Sequence, residues 1–309
     1  MNKKIVVFGS YVTDLTVFAP QLPVPGQTIL GKYFKSGPGG KGSNQAVAIH
    51  RTGTNVTFIT KLGKDALGDT ARLFYENEKM SLEGILCDDV YETGAALIIV
   101  DEQSAQNEIV VTLGACGHFT DQDVEFAKQI ISDADILLVQ LETNLEATEE
   151  VVKFAKERGV LTILNPAPAK SLKRDFLENI DILTPNETEA FGLTGLYVDK
   201  SDDESIRKAA RALLDRGVGK VIITLGERGA YASDGDEELF YEPIKAGEVV
   251  DTTGAGDAFN GGFAAGIAQG LEFFQAIKYA TVVSSIAVTR IGTAPAMPHK
   301  SEIVKYLQE

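Results

Sequence analysis

Short, continuous runs of apolar residues recur along the chain, and segments of helical periodicity separate them. Residues 5–8 form such a run, which ends at Gly9-Ser10 and is typical of a strand buried on both faces. The later runs of this kind are residues 56–60, 136–140, 161–164, 182–184 and 221–224. The helical segments between them include residues 121–132, 147–158 and 203–216. This alternation predicts an α/β fold, a mostly parallel central sheet flanked by helices.

Two stretches interrupt this alternation. Residues 11–36 have extended, alternating character without a convincing helix. Residues 93–112 are typical of two strands, 95–100 and 108–112, joined by a polar turn at 101–107. Within a single domain of residues 1–309, we expect them to form a small separate sheet that acts as a lid. The alternative is that they are edge strands without a function.

The net charge of −15 narrows the set of partners. A field of that sign repels nucleic acid and anionic lipid, so neither is expected to bind. No apolar run approaches the roughly 20 residues of a membrane span, and the first is too short for a signal peptide. Cys87 and Cys116 form no CxxC pair, which indicates reduced thiols in a cytoplasmic protein. The charge also repels nucleotide phosphates, so binding them would need a local device.

A glycine-rich turn at residues 37–42, GPGGKG, satisfies the dinucleotide pattern G-x-G-x-x-G only formally. It does not follow the first buried strand, and Lys41 is followed by Gly42 where a P-loop has Ser or Thr. It is therefore interpreted as a turn that opens a helix at residues 43–49. Lys41 and Asn44 would face a ligand there, unless the segment is a plain tight turn.

The segment at residues 251–260, DTTGAGDAFN, is the strongest candidate for chemistry. Gly254-Ala255-Gly256 would present free N–H groups at a helix N-terminus, where the helix dipole favours anions. Asp257 falls in the first turn, where a carboxylate can take the proton of a hydroxyl that attacks phosphorus. The alternative is a capping aspartate after a glycine turn. The density of Gly, Thr and Asp favours an ATP-dependent small-molecule kinase.

Two further segments follow predicted strands. Asn186 begins a helix with Glu189 in its first turn, which fits either a capping box or water-mediated contact with Mg²⁺ and phosphate. Both interpretations remain open from the sequence. Residues 223–229, ITLGERG, form a strand followed by a glycine turn, which suits the edge of a nucleotide site.

Taken in order, these segments resemble the ribokinase family of carbohydrate kinases over nearly the whole chain. The resemblance is carried by GSYVTD at 9–14, GGKGSNQAVA at 39–48, LVQLE at 138–142, LNPAPA at 164–169, TPNETEA at 184–190, ITLGERG at 223–229, DTTGAGDAFNG at 251–261 and AVTRIGTAPAMP at 287–298. It implies ATP-dependent phosphorylation of the C5 hydroxyl of a pentose, as in conversion of D-ribose to D-ribose 5-phosphate. It also implies Mg²⁺, a K⁺ activator, and a homodimer in which two β-sheet lids interlock.

The resemblance also assigns roles to residues. Asp257 resembles the catalytic base, and Gly254, Ala255 and Gly256 resemble the anion hole. The sugar-contacting positions correspond to Val12, Asp14, Gly40, Lys41, Asn44, Glu142 and Asp257. The ATP-contacting positions correspond to Asn186, Thr224, Gly226, Gly229, Gly256 and Thr281. Glu189 resembles the residue that reaches Mg²⁺ through water. The K⁺ loop corresponds to Asp251, Thr253, Ala287, Arg290 and Gly292.

Three positions depart from the family pattern. Val12 stands where many ribokinases have Asn, and a sugar hydroxyl left unpaired against it would cost about 1–3 kcal/mol. This makes 2-deoxyribose the alternative substrate. Cys116 replaces a usual Asn, also exchanging a polar group for a softer one, and Ala296 removes an oxygen near the K⁺ loop. A nucleoside or hexose kinase and a non-catalytic sugar or nucleotide sensor are the remaining hypotheses.

Overall fold

A computed structural model describes residues 3–104 and 106–307 of the chain. The strands are β1 (Ile5–Phe8), β2 (Val12–Ala19), β3 (Tyr33–Gly39), β4 (Val56–Gly63), β5 (Ile85–Asp88), β6 (Thr93–Asp101), β7 (Asn107–Gly114), β8 (Ile136–Val139), β9 (Leu161–Leu164), β10 (Ile182–Leu183), β11 (Lys220–Thr224), β12 (Ala230–Ser233) and β13 (Glu238–Tyr241). The helices are α1 (Lys41–Arg51), α2 (Ala66–Glu78), α3 (Asp121–Ile131), α4 (Leu145–Glu157), α5 (Arg174–Leu177), α6 (Glu187–Thr194), α7 (Asp203–Leu214), α8 (Ala255–Ala268), α9 (Phe273–Ala287) and α10 (Lys300–Leu307).

The larger sheet of the described chain has nine strands in the order β13-β12-β11-β10-β9-β8-β1-β4-β5. All pairs from β5 to β11 are parallel, and β12 and β13 add antiparallel strands at one edge. Every residue of β1 and β8 is buried, because helices cover both faces of the sheet. The carboxyl ends of the parallel strands share one edge, where loops can form a site.

Helix α8 packs unusually close to its neighbours α1 and α9. A β-carbon at Gly262 would lie 2.9 Å from the Val283 side chain, and one at Gly261 would lie 2.6 Å from Ala48. Only residues without a β-carbon allow these approaches. The small residues after Asp257 therefore fix the position of the α8 N-terminus between α1 and α9.

The two stretches that interrupt the alternation form a separate four-stranded sheet in the order β3-β2-β6-β7. The central pair β2–β6 is parallel, and both outer pairs are antiparallel. The predicted strands at 95–100 and 108–112 are thus present, although each is longer than expected. Part of the predicted turn between them, residue 105, lies outside the described residues. Several large apolar side chains of these four strands are exposed, because the core does not cover them.

The main elements predicted from the apolar runs are present, with shifted ends. The strand predicted at 182–184 stops at Leu183, and the hydroxyl of the next residue, Thr184, donates to Asn260 Oδ1 (2.5 Å). The edge strands β5, β12 and β13 were not predicted, since they are short and, in β5 and β13, only partly buried. Within residues 3–104 and 106–307, no helix combines the length and apolar character needed to cross a bilayer.

Candidate active site

Asp257 lies in the first turn of α8 with only 6% of its surface exposed. Its Oδ2 accepts a hydrogen bond from Asn44 Nδ2 (2.9 Å), and its Oδ1 accepts one from Gln45 Nε2 (2.9 Å). Burial raises the pKa of Asp257, while the Lys41 ammonium and the two amide donors offset part of that rise. The side chain is therefore held in place as a hydrogen-bond acceptor with an elevated proton affinity, as a general base requires.

The N-terminus of α8 forms a small anion site. Gly254 is the N-cap residue and has a left-handed φ of 77°, which glycine adopts without strain. In the described chain the Ala255 amide donates to the Thr252 carbonyl (3.1 Å). The sequence-based expectation of three free amides is therefore wrong for Ala255, because the preceding turn already uses that donor. The amides of Gly254 and Gly256 make no hydrogen bond within the described residues, and they lie where the helix dipole favours an anion.

A second group of polar residues surrounds the start of α1. Glu142 Oε2 accepts hydrogen bonds from Ser10 Oγ (2.6 Å) and from the Lys41 amide (3.0 Å). Burial lowers the pKa of Lys41, but the charges of Asp257, Glu142 and Glu189 more than offset this and leave the pKa raised. The Lys41 ammonium therefore brings a positive charge to a group of carboxylates that would otherwise repel one another.

Asp14 reaches the same pocket from β2. Burial raises the pKa of Asp14 to about 6, with further contributions from Glu142 and Asp257. Thr293 Oγ1 donates to Asp14 Oδ2 (3.3 Å) and to the Pro38 carbonyl (3.0 Å). Thr293 thus joins the small sheet to the loop that precedes α10. Thr293 lies within the segment 287–298 that resembles the family, but the sequence assigned it no role, because its partners lie far away along the chain.

Val12 is buried, with 4% exposure, and shares a face of β2 with Asp14 because side chains alternate along a strand. Gly40 has φ 87°, and a β-carbon there would lie 2.8 Å from the Val12 amide nitrogen. The turn that brings Val12 beside α1 therefore requires glycine at position 40.

Cys116 lies in the protein interior, next to the backbone of Tyr11. The thiol is fully buried and accepts from the Tyr11 amide (3.3 Å) while lying 3.1 Å from the Lys61 carbonyl, as a donor to it. Burial raises the pKa of the Cys116 thiol. The exchange of the usual Asn for Cys116 therefore places a thiol against the backbone of Tyr11 and Lys61. It acts on the pocket only through the backbone of Tyr11, next to Val12.

A cavity of ≈ 280 Å³ adjoins the N-terminus of α8, and Lys41 is not among the residues that line it. All the residues expected to contact ATP line it: Asn186, Thr224, Gly226, Gly229, Gly256 and Thr281. It is also lined by Ala255 of the expected anion hole and by residues to which the sequence assigned no role: Glu187, Lys200, Pro243, Phe259 and Ser284. Lys200 Nζ pairs with Glu187 Oε1 (2.6 Å), and no motif near it marked it in the sequence.

Glycine is required at one corner of this cavity. A β-carbon at Gly229, whose φ is 90°, would lie 1.8 Å from the Tyr241 carbonyl oxygen. Strand β12 therefore turns back against β13 directly behind the cavity. This arrangement explains the glycine turn after β11 that the sequence showed.

Asn186 and Glu189 form a reciprocal capping box at the start of α6. Asn186 Oδ1 accepts from the Glu189 amide (2.8 Å), and Glu189 Oε2 accepts from the Asn186 amide (2.9 Å). Burial raises the pKa of Glu189. One carboxylate oxygen is engaged in the cap, which leaves the other able to face a hydrated cation at the cavity. The capping interpretation is thus present in the structure without excluding the other.

The segment expected to form a K⁺ loop is held together by Asp251. Its Oδ1 accepts from the Thr253 amide (2.9 Å), and its Oδ2 accepts from the Gly292 amide (3.0 Å). The Arg290 side chain turns away and pairs with Glu302. Ala287 ends α9, and its carbonyl accepts from the Arg290 amide (3.2 Å).

The donor chemistry of this loop fits a monovalent cation better than a divalent one. Among residues 3–104 and 106–307, no three His, Cys, Asp or Glu side chains gather as a metal site. A cation here would rest on carbonyl oxygens and one carboxylate, which is a ligand set suited to K⁺. Ala296 is buried in the short helix Ala294–Ala296 and offers only a methyl group.

The arrangement defines a class of enzyme. A buried carboxylate and two free backbone amides lie between a pocket rich in charged and amide groups and a cavity lined by glycine turns at strand ends. Such a site can take a proton from a hydroxyl on one side while it stabilises a phosphoryl group arriving from the other. The fold and the site together are those of a phosphotransferase that acts on an alcohol group.

Comparison with known proteins identifies the family. The profile of the pfkB family carbohydrate kinases matches residues 2–300, and the chain belongs to that family. It is 37% identical over 308 residues to the ribokinase of Haemophilus influenzae, covering 100% of this chain and 99% of that protein. It is 35% identical to the deoxyribokinase of Salmonella typhimurium, covering 98% of each. The solved structure of Arabidopsis thaliana ribokinase complexed with ribose and ATP matches with a TM-score of 0.89, 30% identity and 100% coverage of both chains.

Proposed function

We propose that this protein transfers the γ-phosphoryl group of ATP to the C5 hydroxyl of a pentose, with D-ribose converted to D-ribose 5-phosphate. The observation that carries the proposal is the position of Asp257. Its carboxylate bonds to Asn44 of the sugar-side pocket, and its neighbour Gly256 lines the cavity expected to hold ATP. The names of its relatives in Haemophilus influenzae and Arabidopsis thaliana support ribose as the sugar.

The residues suggest a direct, in-line transfer. Asp257 takes the proton of the C5 hydroxyl as that oxygen attacks the γ-phosphorus, and the bond from phosphorus to the β–γ bridging oxygen breaks to release ADP. The amides of Gly254 and Gly256 stabilise the charge on the transferring group, and the Lys41 ammonium adds a second positive contribution. The raised pKa of Asp257 favours proton transfer, because a base works best when its pKa approaches the working pH.

Two cations fit the residues present. Mg²⁺ would be bound mainly by the phosphates of ATP, with Glu189 reached through water, since the described residues offer no acidic cluster to hold it. It would neutralise charge between the phosphates. K⁺ would be held by Asp251 and by the backbone carbonyls of Thr253, Ala287, Arg290 and Gly292. The role of these residues is to fix the loop beside the anion site.

We further propose that the small sheet is a lid and that two copies of it pair in a homodimer. The sheet exposes large apolar side chains, each between 47% and 68% accessible: Tyr33, Phe34, Leu97, Ile109, Val110 and Val111. Exposed apolar patches of this kind mark interaction sites. A cytoplasmic location agrees with the free thiols of Cys87 and Cys116.

A second candidate substrate is 2-deoxyribose. Val12 is buried on the face of β2 that also carries Asp14, so it would meet the sugar with apolar surface. Such a surface suits a carbon without a hydroxyl better than one that bears it. The resemblance to the Salmonella typhimurium deoxyribokinase agrees with this candidate.

A coupled assay of ADP release tests the proposal across ribose, 2-deoxyribose, arabinose, xylose and fructose, with Mg²⁺ and K⁺ present. We expect sugar-dependent ADP formation that is strongest with ribose or 2-deoxyribose. Asp257→Asn should lower turnover by ~10²–10⁴ while thermal unfolding changes little, because only the proton acceptor is lost. Sugar-independent ADP release, or near-normal turnover by the Asn variant, would contradict the proposal.

A further inference from the structure

Gln45 is fully buried on α1 and contacts the carboxylate of Asp257 directly. Its Nε2 group donates to Asp257 Oδ1 (2.9 Å) and to Asn165 Oδ1 (3.1 Å). Both hydrogens of the amide are therefore used by oxygen acceptors. No role in the transfer has been assigned above to this side chain or to Asn165.

Gln140 fixes the orientation of the Gln45 amide. Its Nε2 donates to Gln45 Oε1 (2.6 Å), and both side chains are almost inaccessible to solvent. If the Gln45 amide were reversed, its oxygen would face the Asp257 and Asn165 oxygens, and its NH₂ would face that of Gln140. That arrangement would leave buried groups unsatisfied, which costs more than the hydrogen bonds themselves provide.

The same chain of hydrogen bonds continues to the nucleotide side. Asn165 Nδ2 donates to the Thr184 carbonyl (3.2 Å), and the Thr184 hydroxyl donates to Asn260 Oδ1 (2.5 Å). Asn260 Nδ2 then donates to the carbonyl of Gly256 (2.9 Å), a residue that lines the cavity. Every amide in the chain donates in the same direction. The network thus contacts Asp257 through Gln45, and it contacts the first turn of α8 through Asn260.

We propose that Gln45 is a positioning residue for phosphoryl transfer, which holds the Asp257 carboxylate ionised and in one orientation while Gln140 fixes the Gln45 amide. This inference rests on the proposed role of Asp257 as the base. A rigid hydrogen bond to one oxygen leaves a remaining lone pair of the carboxylate directed at the substrate side, where the proton must arrive.

The electrostatic surroundings make this bond important. The charged groups that face Asp257 are Lys41, which favours its ionised form, and the carboxylates of Asp14, Glu142 and Glu189, which disfavour it. Burial also raises the pKa of Asp257, and the donors Asn44 and Gln45 lower it. Loss of the Gln45 donor would therefore raise the pKa of the base further.

The test is the Gln45→Met variant, which keeps the length of the side chain and removes the amide. We expect the acidic limb of the kcat–pH profile to move up by about one pH unit, since a hydrogen bond to a charged group is worth on that order. At pH values below the wild-type acidic limb kcat should fall by up to about tenfold, with recovery at higher pH and little change in the KM for sugar or ATP. Gln140→Met should produce a smaller shift in the same direction, because it removes only the donor to Gln45 Oε1 and leaves the hydrogen bond from Gln45 to Asp257 in place.

Tyr75→Phe is a matched control that removes a hydrogen bond to the same helix, α1, from Tyr75 on α2. The Tyr75 hydroxyl donates to Ser43 Oγ (2.7 Å) on α1, so this variant removes a buried hydrogen bond to that helix without touching Asp257. It should lower the thermal stability and leave the pH profile unchanged. A Gln45→Met profile that matches wild type, or a shift of equal size in Tyr75→Phe, would overturn the inference.

A measurement without turnover separates this inference from the proposed function. The carboxyl carbon of Asp257 can be titrated by ¹³C NMR in aspartate-labelled protein, with Asp257→Asn used to assign the signal. We expect a higher Asp257 pKa in Gln45→Met than in wild type. If the wild-type protein forms no ADP with any sugar, the proposed function fails, whereas an unchanged pKa contradicts only the role of Gln45.

Discussion

In the proposed site, Val12 is the residue on which we expect the choice of sugar to depend most directly. It is an apolar side chain beside Asp14, in a pocket whose other proposed sugar contacts carry charged or amide groups. Replacing Val12 by Asn supplies a donor and an acceptor to a sugar hydroxyl. We expect the ratio of kcat/KM for ribose to that for 2-deoxyribose to rise roughly ten- to hundredfold, since pairing one buried hydroxyl has that value.

The control for Val12→Asn is Leu15→Asn, which places the same side chain on the opposite face of β2. Coupled assays with both sugars should show an unchanged ratio for this variant, because residues at odd and even positions of a strand point to opposite faces. A Val12→Asn enzyme with the wild-type ratio would show that position 12 does not contact the distinguishing carbon.

Asp14 should make sugar binding depend on pH. Burial raises its pKa to about 6, so the carboxylate becomes protonated as the pH falls from 7 to 5 and loses acceptor capacity for sugar hydroxyls. We expect calorimetry to show sugar affinity falling through this range, with a flatter dependence in Asp14→Asn. A group with a raised folded-state pKa disfavours folding once ionised, so through Asp14 alone the free energy of unfolding rises as the pH falls through 6. Unfolding therefore would not explain the loss of affinity, and equal pH dependence in both proteins would rule out Asp14 as its source.

The sequence could identify those site residues whose type and local spacing carry a motif. Asp257 with its glycines, and Lys41 with Asn44, are examples, because a helix N-terminus imposes its requirements on neighbouring residues. Gln45 and Thr293 lie within the segments 39–48 and 287–298, but local spacing assigned them no contact. The partner of Gln45 lies 212 positions away and the carboxylate partner of Thr293 lies 279 positions away, so only the folded chain shows what their side chains contact.

At the scale of elements, periodicity predicted what lies in the core and missed what lies at its edges. The apolar runs of β1, β4, β8, β9 and β11 are buried on both faces, and this burial is the property that makes them continuous runs. The short helix α5 and the strands β5 and β13 bury fewer residues, so the periodic pattern of apolar residues in their sequences is weaker. Tertiary pairing decides these elements rather than local preference.

A cluster of charged side chains connects β4 to β5 and to α3. Lys61 is buried, and its Nζ contacts Asp88 Oδ2 (2.6 Å), Asp123 Oδ2 (2.8 Å) and the His118 carbonyl (2.9 Å). Lys61→Met would leave the buried carboxylate of Asp88 and the half-buried carboxylate of Asp123 without their cation. We expect the free energy of unfolding to fall by about 3–5 kcal/mol in denaturant titrations, because an unpaired buried charge is strongly unfavourable.

Lys64 provides the matched comparison. It directly follows β4 and pairs with Asp89, which directly follows β5, and both side chains are mostly exposed. Lys64→Met should change the free energy of unfolding by about 1 kcal/mol or less, because water screens a surface pair. Similar losses in the two variants would mean that the Lys61 cluster is no more important than a surface contact.

For the whole molecule, the charge of −15 and the exposed small sheet have opposite effects on association. Uniform negative charge disfavours contact between copies, so a dimer would need a specific apolar surface. One face of the small sheet offers it: Leu97 lies directly opposite Val110 in neighbouring strands, and Phe34 lies on the same face across β2. All three side chains are more than half exposed, at 56%, 68% and 59% respectively.

Val110→Glu should therefore convert a wild-type dimer to monomers, because it adds a charge to the centre of the proposed contact at a cost the burial of its neighbours cannot offset. Light scattering after size-exclusion chromatography measures the mass of each form. Leu73→Glu, an equally drastic change at an exposed position of α2 outside the small sheet, should leave the mass unchanged. If the lid also depends on pairing, the monomeric Val110→Glu enzyme should show a raised KM for sugar, while a variant that stays dimeric would place the contact elsewhere on the molecule.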